Sequence, residues 1–348
     1  MDLLIRESFQ SHVTTLNDSV EEIKQEYDSP AKLKVGNSWH VGSCLSCIKP
    51  RCMYYSEEEI VSEHFSFFSY DRNAKVCPAD AISNITLDNV PSIDTQKCIS
   101  CGICVFRCPI GAIFLDNGRV RVSKNYDLIY SKVEKNKTTS DQHSNQVKKL
   151  LSISRHINYH KESESFLTNI YNKIRTYDGR SQLPNILARN LMIALGYNCM
   201  TRRTGDNSTR MDSVFANKEI KGVIEVEFGN DTLDASRGIL DDIAILNSRY
   251  NFEKKTIIPL VICLSFSNKR QNYYQVVKDI QKVINVRVQT ISIGALLLLL
   301  WNSKPLKLND YRYYVDFDNL SIRNVVQNEI GHRIPFGNGF EGILEPSK

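Results

Sequence analysis

Ten cysteines stand in a chain of 348 residues, and eight of them, Cys44 to Cys108, fall within 65 residues. Only Cys199 and Cys263 lie elsewhere, among apolar neighbours (GYNCM and LVICLSF), as buried core thiols do. The N-terminus MDLLIRESFQ carries an early Arg and Glu and no apolar stretch, so no secretory leader is expected. The longest apolar run, Ile293 to Trp301, is far short of the ~20 residues of a membrane span. The chain is therefore expected to be cytoplasmic, with no membrane partner. Such a chain keeps few disulfides, so a dense thiol cluster points to metal.

The spacings sharpen this. In Cys98-x2-Cys101-x2-Cys104-x3-Cys108-Pro109, short spacers place three thiols in one tight loop, with a fourth following before Pro109. A second set stands upstream, Cys44-x2-Cys47-x4-Cys52 with Cys77-Pro78. Cys77-Pro-Ala-Asp-Ala-Ile82 echoes Cys108-Pro-Ile-Gly-Ala-Ile113, the mark of a duplicated unit. The alternatives are one cluster, a zinc site or a disulfide scaffold. A zinc ribbon uses paired CxxC knuckles in place of this run.

Over roughly residues 38–122 the segment resembles the two-cluster [4Fe–4S] ferredoxin family, whose run is CxxCxxCxxxCP. The resemblance implies two [4Fe–4S] clusters with crossed ligation. Cys44, Cys47, Cys52 and Cys108 would hold the first, and Cys98, Cys101, Cys104 and Cys77 the second. The segment departs from the compact pattern by the wider Cys47-to-Cys52 spacer and by 24 residues between Cys52 and Cys77. That insert carries Tyr54, Tyr55, Phe65, Phe67, Phe68 and Tyr70, and is expected to pack over a cluster.

Hydrophobic residues make up 42% of the chain and charged residues 24%, which excludes collagen-like, coiled-coil and fully disordered readings. A net charge of +5 permits nucleic-acid binding without demanding it. The stretch 131–149, SKVEKNKTTSDQHSNQVKK, is too polar to bury a core and reads as a linker extending to about residue 164. The expected organisation is a helical extension over 1–37, a ferredoxin-like α+β domain over 38–130, the linker over 131–164, and an α/β domain over 165–348.

Helical periodicity marks 165–177, 183–195 (with Gly196 as C-cap), 234–250, 271–284 and a short helix 295–301. Strands are expected at 211–216, 222–228, 256–266 and 286–293. This alternation predicts a central mixed sheet flanked by helices. Glu225 and Glu227 share one strand face about 6.5–7 Å apart, with Ile224, Val226 and Phe228 on the other. A turn centred on Lys218 and Glu219 places Asp212 directly opposite Glu225. Clustered carboxylates repel one another, and a hard cation such as Mg²⁺ relieves that.

The helix ending ALGYN, the strand opening RMD, the strand IEVEF and the pair ISIGALLLLLW, within about 165–305, resemble the restriction-endonuclease-like PD-(D/E)xK superfamily. The resemblance implies a DNA endonuclease, with Asp212 and Glu225 as the acidic Mg²⁺ ligands. Glu227 stands where the family usually has Lys, as a further ligand and catalytic residue or as the mark of a binding-only domain. Lys221, about 13 Å from Glu225 along the strand, is too far to substitute. Arg and hydroxyl groups in the loop 201–210 are candidates for holding phosphates. The implied partner is double-stranded DNA, in restriction or defence, with a homodimer and a redox partner compatible. The competing reading is an electron-transfer or redox-sensing protein whose C-terminal half only docks a partner.

Overall fold

The computed structural model describes residues 32–35, 38–41, 51–84, 91–108, 113–116, 118–122, 130–132, 159–177, 182–206, 210–229, 232–334, 336 and 342–347. Cys44, Cys47, Pro109, most of the expected N-terminal extension and most of the expected linker lie outside them. By internal packing the chain divides into two units, Met1–Tyr54 with Lys75–Asn158 and Tyr55–Ala74 with Tyr159–Lys348.

In the first unit, β1 (Lys32–Val35) and β2 (Ser38–Val41) form a hairpin that β7 (Tyr130–Lys132) joins as a third antiparallel strand. Residues 32–35 are thus strand, where helix was expected. Ser131 and Lys132 belong to a strand and not to a linker. Two further hairpins follow the cysteine repeat: β3 (Ile82–Asn84) with β4 (Pro91–Ile93), and β5 (Ile113–Asp116) with β6 (Arg119–Val122). The CPxxAI echo is therefore structural, because Ile82 and Ile113 each open the first strand of a hairpin. Between the hairpins lies the short helix α1 (Ile103–Arg107). Val76, Ala81, Ile99, Ile103, Val105, Ile113 and Val120 are buried here. So few aliphatic side chains make a small core.

The second unit is an α/β structure on a five-stranded mixed sheet of order β12-β11-β10-β9-β8. Helix α2 (Tyr159–Arg175) begins six residues before the boundary expected at 165, and α3 (Leu183–Ala194) follows. Strand β8 (Asn198–Thr201) was not expected; four residues directly after a helix leave almost no period to read. Then come β9 (Ser213–Ala216), β10 (Lys221–Glu227), α4 (Leu233–Tyr250), β11 (Ile257–Cys263), α5 (Tyr273–Ile284), β12 (Gln289–Ser292), α6 (Ile293–Trp301) and α7 (Arg323–Ile330). Strands β8, β9 and β10 are antiparallel, whereas β10, β11 and β12 run parallel. Parallel strands flanked by helices are buried on both faces, and every residue of β11 is buried. The leucine-rich α6 is buried throughout and capped by Ser292, whose Oγ accepts from the Ala295 N–H at 3.2 Å. It is core, as its composition predicts.

The β9–β10 turn has the expected register. Asn217 N–H donates to Ile220 O at 2.8 Å, and Asn217 Oδ1 accepts from the N–H groups of Glu219 and Ile220 at 2.9 and 2.8 Å. This Asx turn seats Lys221 opposite Ala216 and Ile224 opposite Ser213. The ladder ends there, and counting one residue further in the same register sets Asp212, just before β9, against Glu225.

The insert between Cys52 and Cys77 departs from expectation. Residues 55–74 belong to the second unit, so their aromatic side chains cover that unit's core. Phe65, 0% exposed, stacks on Phe252 at 5.5 Å between centroids, and Phe67 stacks on Tyr250. Tyr55 Oη donates to Asn190 O at 3.2 Å, and the buried Arg189 donates from Nη1 to Asn73 O at 2.6 Å. Asp71 N–H donates to Thr201 O at 2.8 Å and Arg203 N–H to Ser69 O at 3.0 Å, which lines the sheet edge at β8. Phe65→Ala should therefore destabilise the second unit by about 3–5 kcal/mol, the usual cost of a truncated core Phe. Urea unfolding followed by the fluorescence of the buried Trp301 would show it, with iron per chain unchanged. Iron loss with an unshifted Trp301 transition would place the insert on the cluster side instead.

Candidate functional site

Two clusters of metal-ligand side chains stand out, one in each unit. In the first unit Cys77, Cys98, Cys101 and Cys104 line one small cavity of about 20 Å³, walled by Val76, Ile99, Ile103 and Val120. The loop carrying three of them turns through left-handed residues, Ser100 at φ 61° and Gly102 at φ 82°. Alternating handedness curls the backbone so that N–H groups point inward at an anion. Ser100 N–H donates to Cys98 Sγ at 3.4 Å and Ala81 N–H to Cys77 Sγ at 3.2 Å. Such donors favour a ligating thiolate.

Burial pushes the thiols of Cys77, Cys101 and Cys104 up, and their sulfur neighbours push the same way. Ionising several crowded, buried thiols is costly unless a cationic centre replaces their protons. The four cysteines all line that one cavity. Among the described residues no three His, Cys, Asp or Glu side chains close up as a single-ion site. Four thiols facing one cavity are the donor set that a [4Fe–4S] cubane takes.

Of the other expected ligand set, Cys52 is buried and Cys108 half-buried; Cys44 and Cys47 lie outside the described residues. Arg107 Nε donates to Arg51 O at 2.9 Å, so the end of α1 is tied beside Cys52. Cys104 and Cys108 are four residues apart, about 6 Å along a helix axis. One short helix thus bridges the two expected ligand sets.

In the second unit Asp212 and Glu225 meet at the end of the hairpin. Val226 N–H donates to Asp212 Oδ2 at 3.1 Å, and Arg202 Nη2 lies 3.6 Å from Asp212 Oδ1. Burial raises the Asp212 carboxyl; the Val226 hydrogen bond and Arg202 oppose that. Glu225 is raised by burial first, then by Asp212 and by Asp242, with Arg202 opposing.

Asp242 escaped the sequence reading. It lies on α4 in the stripe Ala235, Ile239, Asp242 and Leu246, all buried. An acid in an otherwise apolar core stripe was the available signal.

The remaining candidates fall elsewhere. Glu227 shares the strand face of Glu225, but its Oε1 accepts from the N–H of Gly229. Lys221 packs its Nζ over Phe252 at 4.6 Å, remote in role from the acids as its spacing implies. In the loop before Asp212, Arg202 and Arg210 face acids, Asp212 and Asp241, while Arg203 is exposed. Cys199 and Cys263 are buried core thiols.

Residues 91–114 match the family model of the 4Fe-4S binding domain. A segment of 43 residues, 12% of the chain, is 49% identical to an uncharacterized ferredoxin of Methanocaldococcus jannaschii and covers 27% of it. A segment of 51 residues, 15% of the chain, is 37% identical to an uncharacterized protein of Methanothermobacter thermautotrophicus and covers 10% of it. The chain thus spans about a quarter and a tenth of the length of these relatives. Among solved structures, the restriction endonuclease FokI aligns at TM-score 0.29 and 14% identity, over 41% of this chain and 29% of that one. The first unit therefore carries a 4Fe–4S, ferredoxin-type binding domain. No helix among the described residues is long and apolar enough to cross a membrane.

Proposed function

We propose that the chain is a Mg²⁺-dependent DNA endonuclease that carries two [4Fe–4S] clusters. Cys77, Cys98, Cys101 and Cys104 would hold one cluster, and Cys44, Cys47, Cys52 and Cys108 the other. The observation that carries the nuclease reading is the pairing of the half-buried Asp212 and Glu225 beside Arg202. Buried carboxylates that raise one another's proton affinity are under strain that a hard divalent cation relieves. When bound there, Mg²⁺ would neutralise phosphate charge and favour a hydroxide nucleophile. The chain's own part is to hold those oxygens in place, with Arg202 and the Val226 N–H fixing the orientation of Asp212. Glu227, next on the same face, is the candidate for orienting the attacking water after releasing Gly229. The exposed Arg203 is suited to a DNA phosphate.

Anaerobically purified protein should cleave double-stranded DNA with Mg²⁺ and not with EDTA. Protein loaded with iron and Mg²⁺ yet inert on every DNA and RNA tried would favour the second reading. That reading is electron transfer or redox sensing with a docking domain, and the 4Fe-4S match at 91–114 is what supports it.

A further inference from the structure

Asp242 is 2% exposed, and its Oδ2 is buried without any hydrogen-bond partner. An isolated buried carboxylate oxygen is costly, and native structures hold few of them. Its position is built, not incidental. One turn earlier on the same face of α4 stands Gly238, where an added Cβ would lie 2.8 Å from Glu225 Oε1 and 3.0 Å from Glu225 Cδ. A larger residue there would push the end of the Glu225 side chain aside, so the glycine leaves the carboxylate lying against the helix. Residues i and i+4 share a helix face, so the contact that seats Glu225 also sets Asp242 beside the same pocket.

The surrounding charges agree with that placement. Asp242 is pushed up to about 7 by burial, then by Asp212 and Asp241, with Arg202 and Arg210 opposing. Arg210 is already paired with Asp241 at 3.3 Å. Arg202 and Arg210 are thus the guanidinium groups acting on Asp242, the latter shared with Asp241, and burial holds protons on these carboxyls that a bound cation would displace. Glu227, by contrast, has its carboxylate occupied by the Gly229 N–H.

We infer that Asp242 is the third carboxylate of the cation site, completing with Asp212 and Glu225 a set of hard oxygen donors for Mg²⁺ or Mn²⁺ in place of Glu227. The inference rests on reading the Asp212–Glu225 pocket as a cation site. In the structure the three carboxylates do not close on one point, and a bound cation would draw them together.

The test is Mn²⁺ binding to the full iron-loaded chain, followed by room-temperature electron paramagnetic resonance of free Mn²⁺ and by the melting temperature with and without Mn²⁺. Asp242→Asn should weaken Mn²⁺ binding at least about tenfold, as Glu225→Gln does. Metal-free Asp242→Asn should also melt several degrees higher than wild type, because a buried charge has been removed. A merely structural Asp242 would give the opposite shift. Gly238→Ala, which keeps every carboxylate but crowds Glu225, should weaken Mn²⁺ binding too. Wild-type affinity in both Asp242→Asn and Gly238→Ala, with Glu225→Gln impaired, would overturn the role of Asp242 and leave the cation site standing. No Mn²⁺ uptake by wild-type protein would overturn both.

Discussion

Asp212→Ala should slow Mg²⁺-dependent DNA cleavage roughly a thousandfold, since several kcal/mol of metal positioning convert at about 1.4 kcal/mol per decade. Three local effects stand behind this expectation. The substitution removes an anionic oxygen that faces Glu225. It removes the acceptor of the Val226 N–H at 3.1 Å. It also releases Arg202, whose ion pair at 3.6 Å holds it beside the acids. DNA affinity, measured with Ca²⁺ or without metal, should hold or tighten, because one negative charge facing the phosphates is gone. The iron–sulfur absorbance should not move, because Asp212 and the cluster cysteines belong to separate units. Cleavage at the wild-type rate in Asp212→Ala would remove the hairpin pocket from the mechanism. Loss of DNA binding in step with cleavage would point to a folding role instead.

The second large effect concerns iron. Anaerobically purified protein should contain about eight Fe per chain, and Cys104→Ala about four, as the loss of one of two [4Fe–4S] centres requires. Cys104 is the informative position because it lines the described pocket and also feels Cys52, a ligand of the other proposed centre. Complete removal of iron by chelation should unfold the first unit outright. Its described apolar core is a handful of aliphatic side chains, and in small metallodomains the ligand bonds supply the folding free energy. The second unit should keep its Trp301 unfolding transition under the same treatment. A first unit that retains its native circular dichroism after iron removal, or stoichiometric zinc in colourless protein, would overturn this account.

Much of this was legible before any coordinates. Spacing alone puts Cys98, Cys101 and Cys104 in one loop, the ferredoxin resemblance implied that Cys77 joins them, and the CPxxAI echo marked where each hairpin begins. The register that brings Asp212 to Glu225 was also legible, because a four-residue turn at Asn217–Ile220 sets a two-stranded ladder by counting. Both are short-range matters, decided by covalent spacing and backbone hydrogen bonds a few residues apart.

What only the tertiary structure decided depends on how separate elements dock. Aromatic residues at 54–70 announce that surface will be buried, but hydrophobicity has no direction. The insert found its partner in Phe252, Tyr250 and Arg189, far along the chain, and not in the cysteines that flank it. Glu227 reads as an equal of Glu225 from strand alternation alone, yet its carboxylate turns to Gly229. Asp242 reads as one more helical acid until α4 settles with Gly238 against Glu225 and buries it one turn further along. Alternation and periodicity assign a residue to a face; which face meets which is settled by close packing between elements distant in sequence.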